Sequence, residues 1–595
     1  MPSIYIPIPE VGPTKIDLDS LPPMKAERVC LVFPKSTFLI DPMVYPPLGL
    51  WYVWAECEKL GLDVAYRDLS VDKLPYDYDA YFISGTSPQA AEIRKVIAEL
   101  KENAPDARIL LGGSHAMTHD GQMLLHYGAD VVVQCEGDLP GVIEEALRVP
   151  KGTVIKHPLT PKLEHIGRPV RKAAWRYHAY LSNWDGNPHA TTTMFTSRGC
   201  PERCAFCIGE GQRVLMGDWT WKPIEQVEVG DWVLGFYEDD EAGIIAPTEV
   251  RAAVDNGIRV TVGVRAGGQT LRCTDDHRIY TEDKWLEAKN FGRVGQQMLR
   301  LVEPGGANYY NGLHVHTLEA YEEQRERRVY DLTTEAHTFI AEGFIVHNCE
   351  TQGVWGRGVR WVPFETVKAE IEEIIDLGFT GIMFYDDIFP LNKKRTLQML
   401  DVLKYHHTHN DLIWRCFLRT DVLAKQGGFD YLRLMREAGL REVLAGVESA
   451  SNVIKNNIQK GTTIEQDTQA LRWCKELGVA FKASTILGLP GETPETMLET
   501  LNWIVRERPD RADLNTYIPF PGTPITTAMV EGNNAYDIYL AKENMEDGEF
   551  PENYFYKGPR DSSVALVGTS HLTPAQIKAF RDMAVKVLDS EKIPY

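Results

Sequence analysis

Between Cys204 and Cys349 the chain changes character, and that break constrains its fold more than any other feature. On either side, short apolar runs alternate with helical stretches. Between them the sequence becomes strand-rich, with recurring Gly and Asp turns in VEVGDWVLG, GGQTLRCTDDHRIYT and EGFIVHN. Short strands separated by such turns predict an all-β module. The helix–strand rhythm resumes after Cys349, so the module reads as inserted into one domain.

The flanks predict two α/β units. Strands are expected at 27–33, 78–87, 107–116 and 130–138, with helices at 48–61 and 89–103 between them. This alternation implies a doubly wound, Rossmann-like parallel sheet over 28–150. Its small-residue loops, Ser84 and Gly85 through Ser87 and Gly112, Gly113 and Ser114, fall at the carboxyl ends of strands, where such sheets bind ligands. Residues 1–27 read as an N-terminal extension and 151–189 as a proline-containing linker. Six further strands are expected at 190–196, 380–385, 412–418, 442–447, 479–487 and 511–518. The helix at 363–378 places Val367, Ile371 and Ile374 at helical spacing. Six β/α units suit a partial (β/α)6 barrel of TIM type, formed by 190–206 and 349–530. A C-terminal helical extension is expected over 531–595.

Charge and cysteine usage narrow the function. The formal charge of −21 argues against a broad nucleic-acid surface, which should be basic. No apolar run reaches the roughly 18–20 residues needed to cross a bilayer, and the N-terminus lacks a secretory pattern. A cytoplasmic protein is expected. Six of the ten cysteines are scattered and read as buried thiols in a reducing compartment. The other four, Cys200, Cys204, Cys207 and Cys349, crowd the two edges of the β module.

Residues 207–348 resemble a small intein of the Hint family. They begin CIGEGQRVLMGDW, carry TDDH at 274–277, and end VYDLTTEAHTFIAEGFIVHN, with Cys349 next. The resemblance implies self-splicing without an endonuclease. The Cys207 thiol attacks the preceding amide and takes Phe206 as a thioester. Cys349 accepts the acyl group by thiol exchange. The Asn348 side chain then attacks its own carbonyl, releases the insert as a succinimide, and a peptide bond forms between Phe206 and Cys349. The same resemblance assigns His277 to protonating the departing nitrogen and Thr274 to orienting the site. It assigns Asp331 to the thiol steps, and His337 and His347 to asparagine cyclisation.

Without 207–348, the flanks read TSRGCPERCAF–CETQG. The spacing Cys200-x3-Cys204-x2-Cys349 on its own leaves open a zinc site or chance. In context it resembles the radical S-adenosylmethionine (SAM) signature. It follows the first barrel strand, Phe206 fills an aromatic position before the third cysteine, and YDDIF, WRCFLRTD, GVESAS with KG, LGLPGET and PFPGTP lie at strand ends. The resemblance implies a [4Fe–4S] cluster on Cys200, Cys204 and Cys349, with one iron open to SAM. Reductive SAM cleavage to a 5′-deoxyadenosyl radical would follow. Glu448 is implied as a ribose or amine contact, Arg419 as a carboxylate contact and Gly488 as a neighbour of the adenine. Tyr385-Asp386-Asp387 stands where the family carries Gly-Gly-Glu, which makes Asp386 and Asp387 the candidate cofactor contacts there.

Residues 28–150 resemble the cobalamin-binding domain that precedes many radical SAM barrels, through PPLGLWYVWAECEKLG, ISGTS, LLGGSHA and QCEGD. The Asp-x-His-x-x-Gly ligand motif is absent, and His115 reads as a polar residue after a Gly-Gly turn. The resemblance implies a precursor of a radical SAM enzyme, with cobalamin-dependent methyl transfer the leading reaction. The alternatives are cobalamin-free oxidation, cyclisation or methylthiolation, or a non-catalytic iron–sulfur or corrinoid-binding protein. A small-molecule or peptide substrate and an electron donor such as flavodoxin or ferredoxin are expected, with no membrane or nucleic-acid partner.

Overall fold

The computed structural model describes residues 21–37, 46–118, 121–157, 163–171, 180–182, 187–199, 207–237, 244–274, 277–281, 285–288, 291, 298–302, 313–334, 336, 338–347, 359–458, 460–519, 525, 529, 536–541 and 565–595. Among these, no helix is long and apolar enough to cross a membrane.

The N-terminal sheet contains β1 (Arg28–Phe33), β2 (Asp63–Asp68), β3 (Ala80–Ser84), β4 (Arg108–Gly112), β5 (Val131–Val133) and β6 (Thr153–Ile155). Its order is β2-β1-β3-β4-β5-β6, and all neighbouring pairs are parallel. Val29 to Val32 are fully buried, as expected of a strand covered on both faces. The order reverses between β1 and β3, which places the topological switch at that sheet edge. Two strands escaped the sequence reading. β2 is short and polar (DVAYRD), and β6 lies in the stretch read as linker. Parallel pairing with β1 and with β5 makes each a strand, although β2 is only partly buried and β6 is three residues long.

Beyond β7 (Tyr180–Ser182), β8 (His189–Met194) opens the second parallel sheet, and the two-residue β9 (Ser197–Arg198) follows it. The insert then folds as the all-β module expected: β10 (Ile208–Gly209), β11 (Arg213–Leu215), β12 (Trp221–Pro223), β13 (Trp232–Tyr237), β14 (Ile244–Ala266), β15 (Gln269–Thr274), β16 (Arg278–Tyr280), β17 (Trp285–Glu287), β18 (Met298–Val302), β19 (Leu313–Thr334), β20 (Thr338–Ala341) and β21 (Phe344–His347). The long strands β14 and β19 pair antiparallel with four register shifts. Such bulges bend a strand, so one ribbon curls around a core that includes Val262, Val264, Leu271, Phe339 and Phe344.

After β22 (Arg360–Trp361), the helix–strand alternation resumes with β23 (Gly381–Phe384), β24 (Ile413–Leu418), β25 (Leu440–Glu448), β26 (Ala480–Leu487) and β27 (Arg511–Thr516). The sheet order is β27-β26-β25-β24-β23-β8-β7, with all pairs from β8 to β27 parallel. These are the six expected strands of the open barrel, plus β7 at its edge. β8 and β23 become neighbours although the whole insert lies between them. A Cβ at Gly381 would sit 2.2 Å from Thr191 Oγ1, so glycine permits this close pairing. Helices 464–477 and 494–507 start with complete capping boxes at Thr463 and Thr493. The C-terminal region has the expected helix, Pro574–Glu591, and also a small ribbon of β28 (Tyr539–Leu540) and β29 (Val567–Gly568).

Candidate functional sites

The insert holds its first residue in a reciprocal hydrogen-bond pair. Cys207 N–H donates to Thr274 Oγ1 at 3.1 Å, and Thr274 N–H donates to the Cys207 carbonyl at 2.9 Å. The same turn carries His277, whose N–H donates to the Thr274 carbonyl at 3.0 Å. Cys207, Thr274, His277 and Asp331 are all buried. Asp331 follows Tyr330, the residue of β19 paired with Ile208 of β10. Two residues beyond His277, Ile279 of β16 pairs with Val346 of β21. The turn between β15 and β16 therefore touches the first residue of the insert and leads into the strand that holds its last turn of chain. Phe206, His337, Asn348, Cys349 and the side chain of His347 lie outside the described residues.

At the barrel, Cys200 and Cys204 also lie outside the described residues. What precedes them is well defined. Asp386, fully buried at the carboxyl end of β23, accepts hydrogen bonds from Thr196 N–H, Thr196 Oγ1 and Ser197 Oγ, each at 2.6 Å. Burial pushes its carboxyl above the ordinary range, and the Ser197 and Thr196 donors oppose that shift. The expectation that Asp386 faces a cofactor is corrected by this geometry: both oxygens are committed to the chain leading into the cysteine loop. Asp387, its neighbour, is exposed.

Three other predicted residues lie at strand ends, and two of them, Glu448 and Arg419, share Lys460 as a partner. Glu448 ends β25 with φ of +61°, a left-handed conformation costly for a non-glycine residue. Its Oε1 accepts from Lys460 Nζ at 2.6 Å, with both side chains partly exposed. Arg419 donates to the Lys460 carbonyl at 2.9 Å and to Asp421 at 3.1 Å. Strain kept at a partly open ion pair marks this as a candidate ligand contact. Gly488 adopts φ of +83° and donates its N–H to Glu492, whose buried carboxyl is pushed up to about 7 by desolvation.

In the N-terminal unit, Gly113 brings the two small-residue loops together. A Cβ there would lie 2.5 Å from Ser84 Oγ and 2.9 Å from the Gly85 carbonyl. His115 N–H donates to that carbonyl at 3.1 Å. Its ring is buried, 3.4 Å from Ser87 Oγ through Nδ1, and stacks on Tyr127. His115 thus packs inward, which its reading as a polar residue after a Gly-Gly turn did not specify. Sequence reasoning missed Lys455 and Asp467, a fully buried pair at 2.5 Å under the β25 exit, since charge alone does not announce burial.

The described residues thus form a doubly wound parallel sheet, an open parallel barrel and a β module inserted between the first two barrel strands, the architecture of a multidomain α/β protein. Residues 347–504 match the Radical SAM superfamily and residues 42–143 match the B12 binding domain. The chain carries both domains. The barrel match starts at the far edge of the insert. An uncharacterized methyltransferase of Pyrococcus horikoshii, PH0819, is 31% identical over 180 residues, 30% of this chain and 38% of that protein. The chain thus spans under half the length of that curated relative. Among solved structures, the radical SAM methyltransferase TsrM from Kitasatospora setae, with cobalamin and a [4Fe–4S] cluster bound, matches 95% of this chain and 89% of its own at 14% identity and a TM-score of 0.49. The DnaX mini intein from Spirulina platensis matches 24% of this chain and 99% of its own at 23% identity and a TM-score of 0.21.

The described residues fit the cofactors these domains imply. For a cluster on the cysteines that follow β9, Asp386 fixes Thr196 and Ser197, the described chain just before Cys200. For SAM, the Glu448, Lys460 and Arg419 groups suit a zwitterion at the barrel mouth. For a corrinoid, the Ser84–Gly85 and Gly112–Gly113 loops form a small-residue sheet edge, with the buried His115 packed against Gly85 and Ser87.

Proposed function

We propose that this chain is a precursor: residues 207–348 excise themselves, and the joined flanks become a radical SAM enzyme performing corrinoid-dependent methyl transfer. The observation that carries the reading is the paired hydrogen bonding of Cys207 with Thr274, at the start of a β module that interrupts a radical SAM domain.

The two bonds to Thr274 fix the peptide of Cys207, which keeps the thiol beside the amide it attacks. His277, one turn away, supplies the proton to the leaving nitrogen. The Phe206 acyl group moves to Cys207 sulfur, then to Cys349 sulfur. Asn348 cyclisation cuts the insert free, and an S-to-N shift completes the peptide bond. In the product, Cys200, Cys204 and Cys349 would hold the cluster, and Glu448, Arg419 and the Gly488 turn would hold SAM. When bound, a reduced cluster supplies the electron that cleaves SAM, and a corrinoid supplies a methyl carrier. The substrate is a small molecule or peptide, and a flavodoxin or ferredoxin supplies electrons. The cysteine usage suits the cytoplasm.

Intact-mass measurement of the expressed chain tests the first half, with Cys207→Ala/Asn348→Ala as the blocked control. Masses of free 207–348 and of 1–206 joined to 349–595 are expected from the wild type alone. Iron analysis and methionine release from SAM by the ligated product test the second half. Full-length mass from both chains would refute splicing. A ligated product without iron or SAM cleavage would refute the enzyme.

A further inference from the structure

The two chain segments that flank the insert are already paired in the precursor. Ser197 of β9 lies opposite Trp361 of β22, and Arg198 opposite Arg360, as an antiparallel ribbon. Two strands of two residues cannot persist alone; isolated short ribbons are marginal in water. This one is braced by the barrel. Asp386 takes the Thr196 N–H and the Thr196 and Ser197 hydroxyls. Arg395 places its guanidinium over the Trp361 ring at 5.2 Å and reaches the Thr196 carbonyl at 3.5 Å. Burial disfavours the Arg395 charge, and the nearby Asp386 carboxylate opposes that shift. One side of the ribbon is thus gripped by Asp386 and the other by Arg395.

We infer that this host ribbon is a positioning device for splicing, holding the segments before Phe206 and after Cys349 together so that acyl transfer outruns hydrolysis. The inference rests on the splicing reading above. The insert makes the first thioester with its own residues, since Cys207, Thr274 and His277 all belong to it. Acyl transfer differs, because its acceptor, Cys349, belongs to the flank. After the first step, the Phe206 acyl group on Cys207 sulfur has two fates. The Cys349 thiol attacks it, the Cys207 thiolate leaves, and the flanks are joined. Alternatively water attacks, the same thiolate leaves, and 1–206 is lost as a free acid. A tether that keeps donor and acceptor close raises the first rate and leaves the second untouched. Asp386, Arg395 and Trp361 are therefore positioning residues acting from outside the insert.

The test is the ratio of ligated product to released 1–206, by mass spectrometry of the full chain. Asp386→Ala, Arg395→Ala and Trp361→Ala are compared with wild type. Ile504→Ala, which cavitates the barrel core on the 494–507 helix far along the chain from the ribbon, controls for general instability. The ribbon variants should lower the ratio by about threefold or more, the scale on which closure changes when a constrained loop doubles in length. Their thiol-induced cleavage at Cys207, which reports the first step alone, should match wild type. Trp361→Ala removes only a partly exposed side chain and keeps the test informative if Asp386→Ala fails to fold. Equal ratios in wild type and ribbon variants would overturn the inference. So would an equal fall in Ile504→Ala. A wild type that neither ligates nor cleaves would overturn the splicing reading itself, and this inference with it.

Discussion

Cys207 and Thr274, 67 positions apart, are joined by three hydrogen bonds, the longest from the Thr274 hydroxyl to the Cys207 carbonyl at 3.5 Å. The Thr274 hydroxyl is an acceptor for the Cys207 N–H, while the Thr274 backbone binds the Cys207 carbonyl. Thr274→Ala leaves the backbone bond and removes both side-chain ones, of which the 3.1 Å bond is the stronger. Net hydrogen-bond worth of about 1 kcal/mol corresponds to roughly fivefold, so thioester formation should slow by about that factor. Thr274→Ser should restore it. His277→Ala removes a general acid and should slow the same step by about 10²–10⁴-fold. Thiol-induced cleavage at Cys207, followed by mass, separates the two. A His277→Ala loss no larger than that of Thr274→Ala would remove the proton-donor role.

Glu448 is kept at φ +61° and paired with Lys460. Asparagine tolerates this backbone region better than other non-glycine residues. Glu448→Asn should therefore fold at least as stably as wild type, yet lose the ion pair. Charge-assisted hydrogen bonds contribute about 1.5–3 kcal/mol, so SAM affinity of the ligated product should fall about ten- to hundredfold. Calorimetric titration with SAM and a thermal melt together check this. Unchanged affinity with raised stability would make the pair a structural plug.

Much of this architecture was legible because patterning and topology agreed. The six barrel strands were expected within a few residues of where they occur, since each is an apolar run between helices of clear period. The insertion was legible because its turns broke that rhythm. Strands β2 and β6 were not, because DVAYRD is half charged and TVI is too short to show a period. Asp386 was legible as a strand-end carboxylate but not in its direction. Sequence spacing does not say whether an acid at a barrel rim turns outward or back onto the preceding loop, and here Thr196 and Ser197 supplied donors that drew it inward. Lys455 and Asp467 went unseen for a related reason. Each looks like a surface charge in NVIKNN and IEQDTQA, and only the fold brings them together in the interior.

Gly113 carries a prediction about the N-terminal unit. Its φ of +86° and the nearby Ser84 hydroxyl and Gly85 backbone leave no space for a side chain. Gly113→Ala must either strain the backbone or part the two loops. A residue forced into an unfavourable region costs of order 1–3 kcal/mol. The variant should show an earlier unfolding transition and weaker corrinoid uptake than wild type. Gly112→Ala, whose added Cβ meets only Val133 at 3.9 Å, should do much less damage. Comparable melts for the two variants would mean the loops adjust freely.

Glu492 makes stability depend on pH in the direction opposite to an ordinary ion-paired acid. Its carboxyl is fully buried, Oε2 accepts the Gly488 and Leu489 N–H groups, and desolvation lifts its pKa from 4.5 to about 7. Below the unfolded value both states hold the proton, and the group contributes its full stability. Between the two values the unfolded chain releases the proton while the folded barrel keeps it. The folded state then binds more protons, so stability falls as pH rises through this interval. Above about 7 the loss is complete. Glu492→Gln keeps an oxygen for the two N–H groups and cannot ionise. Its stability relative to wild type should therefore climb between pH 5 and pH 8, by an amount of order 1–3 kcal/mol. Urea unfolding of ligated wild type and variant at both pH values reads this difference directly, because groups common to the two chains cancel. A variant offset that stays constant with pH would mean that Glu492 is ionised in the folded barrel throughout.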